Sequence, residues 1–106
     1  MYWALDGMNQ PVPCSRAEFG AMYGDSLSRR VGWTEFHTPA GSVEVSTVFL
    51  GIDHSFGHGP PVLFETMVFG GPRNDEQWRY CTWDEAAAGH AAVVEGLKAR
   101  YLKALV

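Results

Sequence analysis

The sequence predicts an α+β fold: an antiparallel sheet of about four strands, with a long C-terminal helix packed on one face and a short N-terminal helix. Three observations predict it. Val43 to Gly71 reads as two apolar strands joined by a loop that holds Asp, His and Pro. The turn cluster Thr38-Pro39-Ala40-Gly41-Ser42 links the first of them to an alternating segment upstream, the pattern of a hairpin. Apolar residues then recur at spacings of three and four from Trp83 to Tyr101, the period of an amphipathic helix.

Tyr2 to Leu5 is a short apolar stretch closed by the turn signal Asp6-Gly7, which suits an edge strand. Asn9 to Pro13 carries two prolines, so an irregular segment is expected there. Ser15-Arg16-Ala17-Glu18 has the S-x-x-E form of a capping box. Phe19, Met22 and Tyr23 then share one face of a short helix, which Gly20 weakens and Gly24 stops. From Val31 to His37 the residues alternate, with Trp33 and His37 on one side and Thr34 and Phe36 on the other.

Val43 to Ile52 changes phase midway. Val43 and Val45 are apolar at odd positions, Val48, Leu50 and Ile52 at even ones. The shift predicts either a bulge near Ser46-Thr47 or a strand covered on both faces. Val62 to Phe69 is apolar on both faces apart from Glu65 and Thr66. A helix covers one face of such strands; the other needs a second element or a second copy, which is the argument for a homodimer.

Gly70 to Asp75 is a turn, and Gln77 to Cys81 a short strand. Thr82-Trp83-Asp84-Glu85 forms a second capping box, with Asp84 and Glu85 at the positive end of a helix dipole. The last helix is expected from Trp83 to about Leu102. Trp83, Ala87, His90, Val94, Leu97 and Tyr101 line its stripe, and Ala86 and Val93 widen it. Gly89 and Gly96 allow close approach to the sheet.

The 106 residues fit one small domain, and 46% apolar composition is enough for a core. Net charge is -4, and the eight Lys and Arg are scattered, so no basic stripe for general nucleic-acid binding is present. No apolar run reaches membrane-spanning length. Cys14 and Cys81 lack metal or redox spacing and are expected as free thiols in a reducing compartment.

The richest polar loop is Asp53-His54-Ser55-Phe56-Gly57-His58-Gly59. The H-x-x-x-H spacing of His54 and His58 suits a metal only on a helix, and Gly57, Gly59, Pro60 and Pro61 oppose one. Asp53 could instead fix the tautomer of His54 for acid–base work, or hydrogen-bond local amides as Asp does in turns. Glu65 is a candidate acid or base if buried, and an ordinary surface carboxylate if exposed or paired with Arg79 or Arg73. His90 lies in the apolar stripe of the last helix. A helix crossing the sheet could bring it near the others, so Asp53, His54, Glu65, Thr66 and His90 form one candidate ligand-binding or polar cluster.

Val45-Ser46-Thr47, Leu50-Gly51-Ile52-Asp53-His54, Phe64-Glu65-Thr66-Met67, and Arg79-Tyr80 through Gly89-His90 carry a resemblance. In these pieces the chain resembles a family of small proteins from tailed bacteriophages and prophages. The resemblance spans about the second half of the chain. It carries no activity to transfer, but implies a phage accessory protein in the cytoplasm of a bacterial host cell, acting against a host defence. Cys81 stands where a Ser is more usual in the family, so the thiol is given no role.

Three functions fit these residues. The first is a non-enzymatic binding protein, a homodimer that engages a host protein or sequesters a small nucleotide-like ligand, with no cofactor and no membrane. The second is a small hydrolase using His54 and His90 with Asp53 or Glu65, with zinc or manganese as the suitable metals. The third is a minor virion or assembly component.

Overall fold

Two hairpins and two capping boxes set the frame of the fold. The computed structural model describes residues 1–25 and 27–104, with side chains to residue 100. Strands β1 (Tyr2–Leu5) and β2 (Pro11–Cys14) form a small antiparallel sheet. The second strand corrects the irregular segment expected around Pro11 and Pro13. Asp6 donates its amide to the Gln10 carbonyl at 2.9 Å, so the even-numbered residues aim their backbone at β1. Pro11 and Pro13 therefore face outward, where a missing N–H costs no ladder bond. The Asp6 carboxylate accepts the Met8 and Gln10 amides and closes the turn.

Helix α1 (Arg16–Tyr23) starts at the expected capping box. Ser15 Oγ accepts from the Glu18 amide at 3.1 Å, and Glu18 accepts from the Ser15 amide at 3.1 Å. The helix packs on β1, and Phe19 stacks against Tyr2 at 4.7 Å. Tyr23 stays exposed, so Phe19 and Met22 carry the inward face. Gly24 caps the helix in right-handed geometry.

The main sheet is antiparallel, in the order β3 (Arg30–Thr38), β4 (Gly41–Phe49), β5 (Phe64–Phe69) and β6 (Gln77–Tyr80). Helix α2 (Trp83–Ala104) crosses one of its faces. Its capping box is present: Thr82 Oγ1 accepts from the Glu85 amide, and Glu85 accepts from the Thr82 amide, both at 3.1 Å. Ala86, His90, Val93, Val94 and Leu97 face the sheet, whereas Ala87 is exposed; the stripe is shifted from the one expected. The Tyr101 side chain lies outside the described residues.

The phase change in β4 is not a bulge in that strand. Val43, Val45, Thr47 and Phe49 all point to the helix face and are at most 2% exposed. Thr47 is simply a polar residue at a core position, and Val48 belongs to the opposite face. The irregularity lies in β3, between Arg30 and Gly32. On the opposite face one row runs Trp33, Ser46, Met67, Gln77, and the next sets Glu35, Glu44 and Phe69 side by side.

The core divides into two apolar clusters. One holds Val43, Val45, Val68, Val93, Val94 and Leu97, with Phe36 and Trp78 against it. The other holds Phe49, Leu63, Phe64 and Ala86, with Trp3, Leu5, Met22 and Trp83 around it. Fully burying a side chain such as Phe49 contributes about 2–3 kcal/mol. The second cluster also ties the small sheet to the main one, through Trp3 and the bridge from Tyr2 to Ile52.

Candidate functional site

A layer of four polar side chains separates the two apolar clusters. Three elements each insert one polar residue between apolar neighbours. On β4, Thr47 lies between Val45 and Phe49; on β5, Thr66 lies between Phe64 and Val68; on α2, His90 lies between Ala86 and Val93. Strand β3 adds Thr34. The four are joined in sequence. Thr66 Oγ1 lies 2.6 Å from Thr47 Oγ1, Thr47 Oγ1 lies 2.7 Å from His90 Nδ1, and His90 Nε2 lies 2.9 Å from Thr34 Oγ1. The imidazole lies against Gly32, where a Cβ would come within 2.9 Å of the ring.

This arrangement gives both nitrogens of the half-buried imidazole a partner. A neutral ring has one donor and one acceptor, and each hydroxyl can play either part. Burial pushes the His90 pKa below its ordinary 6.5. The unfolded chain therefore takes up a proton at a pH where the folded chain does not. His90 leaves stability intact above about pH 6.5 and lowers it as pH falls from there toward the depressed folded value. Urea unfolding between pH 7.5 and 5.5 should show stability decreasing with acid, and His90→Gln should flatten that slope.

Hydroxyl and imidazole within reach also form the geometry of a nucleophile and its base. Here the second ring nitrogen is held by a hydroxyl, not a carboxylate, and Thr47 and Thr66 are fully buried. The layer is built to hold the sheet and helix in register.

The other candidate residues lie elsewhere. Asp53 is occupied within its own loop: it accepts from the Val62 amide at 2.8 Å, the Ser55 amide at 2.7 Å and the Ser55 hydroxyl at 2.8 Å. These bonds, the Val62 and Ser55 amides first, hold its carboxyl below the usual carboxylate range. His54 Nδ1 bonds the Ile52 carbonyl at 2.8 Å, and the His54 amide donates to Val62. Both residues staple the long β4–β5 loop. Glu65 points to the open face and pairs with Arg79 at 3.0 Å. So the structure joins Thr66 and His90 through Thr47, and puts Asp53 with His54 in the loop and Glu65 on the opposite side of the sheet. Among the described residues, no three His, Cys, Asp or Glu side chains are grouped to hold a metal ion. Cys14 and Cys81 are free, and burial, then Glu85 and Asp53, raises the Cys81 pKa.

Thr34, Thr47 and Gly32 are the residues that sequence reasoning missed. The signal was present in β4, where Thr47 interrupts the apolar alternation; its partners come from other elements and have no signature of their own. No family model, curated protein or solved structure matches the chain. No helix among the described residues is long and apolar enough to cross a membrane.

Proposed function

We propose that the chain is a non-enzymatic binding protein, a phage accessory protein that engages a host protein through the open face of its sheet. The observation that supports this reading is the composition of that face. Trp33 is 45% exposed and Phe69 42% exposed, and half-buried Met67 and Val48 lie on the same face. Trp, Phe and Met are the residues enriched at protein interfaces, and several large apolar side chains exposed on one sheet face are a recognition feature.

Charge on the same face selects the partner. Glu35 and Glu44 sit directly opposite each other, and Glu65 lies farther along β5. His37 pairs with Glu35 and Arg79 with Glu65, while Glu44 has no ion pair among the described residues. Arg30 lies over the Trp33 ring on this face, so its charge is mixed, and a partner that offers a basic group to Glu44 beside the apolar side chains complements it.

Pull-down from host lysate, with mass spectrometry, tests the reading. Trp33→Ala should reduce recovery of a stoichiometric host protein at least about tenfold, the effect of losing an interface anchor. Thermal stability should change little, because the ring is exposed. Equal recovery by the variant would reject this face as the interface. A purified chain that steadily converts a ligand would reject the binding-protein reading itself.

A further inference from the structure

We infer that two copies of this chain pair edge to edge through β3, antiparallel about a twofold axis at Thr34. The product is one continuous sheet, four strands from each copy. The pairing uses the edge of the strand, where the host-protein reading uses the open face, and it stands without that reading.

Strand β3 closes one side of the sheet with nine residues, Arg30–Thr38, and β6 closes the other with four. Among the described residues no strand covers the outer side of β3. The ladder shows which of its backbone groups are open. The Leu50 amide donates to the Leu63 carbonyl on the β5 side, and the Phe49 amide to the Arg29 carbonyl on the β3 side. Odd residues of β4 therefore turn their backbone toward β3, where their partners are Gly32, Thr34 and Phe36. Trp33, Glu35 and His37 are left with amide and carbonyl groups directed outward.

Such a row of groups is a template for another strand. Strand β3 contains no Lys or Pro to blunt it, and its irregularity lies at one end, between Arg30 and Gly32. Helix α2 contacts all four strands, so it lies inboard of β3 and leaves this edge open.

Charge selects a second copy and sets its register. Residues directly opposite in an antiparallel pair share a face of the sheet. Centring on Thr34 sets Arg30 against Thr38 and overlaps the whole strand. Trp33 of one copy then faces Glu35 of the other. The Arg30 guanidinium lies over the Trp33 ring, 5.6 Å from its centre, and makes no ion pair among the described residues. Glu35 of the other copy thus arrives beside a cation, and the twofold axis makes the contact twice. Centring on Glu35 would set the two Glu35 carboxylates against each other. Centring on Phe36 would shorten the overlap to Thr34–Thr38.

Sedimentation velocity of the purified full chain over a dilution series tests the pairing. A monomer–dimer equilibrium is expected, with the dimer share rising with concentration. Glu35→Pro removes one outward N–H per copy and no β3–β4 bond, the edge position at which proline is tolerated. It should raise the dimer dissociation constant at least about tenfold, with two hydrogen bonds lost across the axis. At a dilution where both chains are monomeric, its circular dichroism spectrum should match that of the parent. Arg30→Glu and Glu35→Arg should each weaken the dimer, and the double exchange should restore it. A monomer at every concentration, or a dimer undiminished by Glu35→Pro, would overturn the edge pairing. A double exchange that fails to restore the dimer would overturn the register, and it decides without the proline variant.

Discussion

Replacing His90 with alanine should destabilise the fold by about 3 kcal/mol, combining a lost packed ring with hydrogen-bonding groups left unpaired. The ring lies against Gly32 and bridges Thr47 and Thr34. Its removal opens a void between the two apolar clusters and leaves the Thr47 hydroxyl bonded to the Thr66 hydroxyl alone among the described residues. Thr34 is half-buried and can recover water, so its loss is the smaller part. A cycle with Thr47→Val separates packing from hydrogen bonding. The two single costs should exceed the double-variant cost by about 1–2 kcal/mol, since removing both partners strands less than removing one. Urea unfolding measures each corner. Strict additivity would mean that the polar layer does not act as a unit.

Gly70→Ala should cost about 3 kcal/mol, the sum of a strained backbone and an overpacked contact. Gly70 follows β5 with φ +92°, and a Cβ there would be driven into the Ser42 carbonyl oxygen. That oxygen cannot easily retreat, because Ser42 pairs with His37 in the β3–β4 hairpin. The Gly70 amide also donates to Asn74 at 2.6 Å, which fixes the turn from the other side. Gly59→Ala is the control. Its φ is +78°, but a Cβ there meets nothing within 4 Å, so it should lose only about 1 kcal/mol. Equal losses at the two positions would show that backbone conformation alone sets the cost.

The elements that rest on local chemistry are legible in the amino-acid order alone. Both capping boxes depend on residues three apart, and the β3–β4 hairpin on alternation around Thr38-Pro39-Ala40-Gly41. The α+β class followed, with its four-stranded sheet and long last helix. Strand β2 was hidden because Pro11 and Pro13 oppose a strand by propensity; only the outward parity set by the Asp6 turn admits them.

The candidate cluster was legible only in part. Thr66 and His90 do belong to one polar layer, yet the Thr47 and Thr34 that join them look like ordinary strand residues in the sequence. Glu65 is next to Thr66 in the chain and on the opposite face in space, because a strand reverses its side chains at each residue. Asp53 and His54 found partners within their own loop, where short-range geometry leaves them closer to the Val62 backbone than to α2. Periodicity assigns each residue to a face of its own element. Only the docking of α2 across β3, β4 and β5 decides which faces meet, because that contact joins residues up to 56 positions apart that share no local pattern.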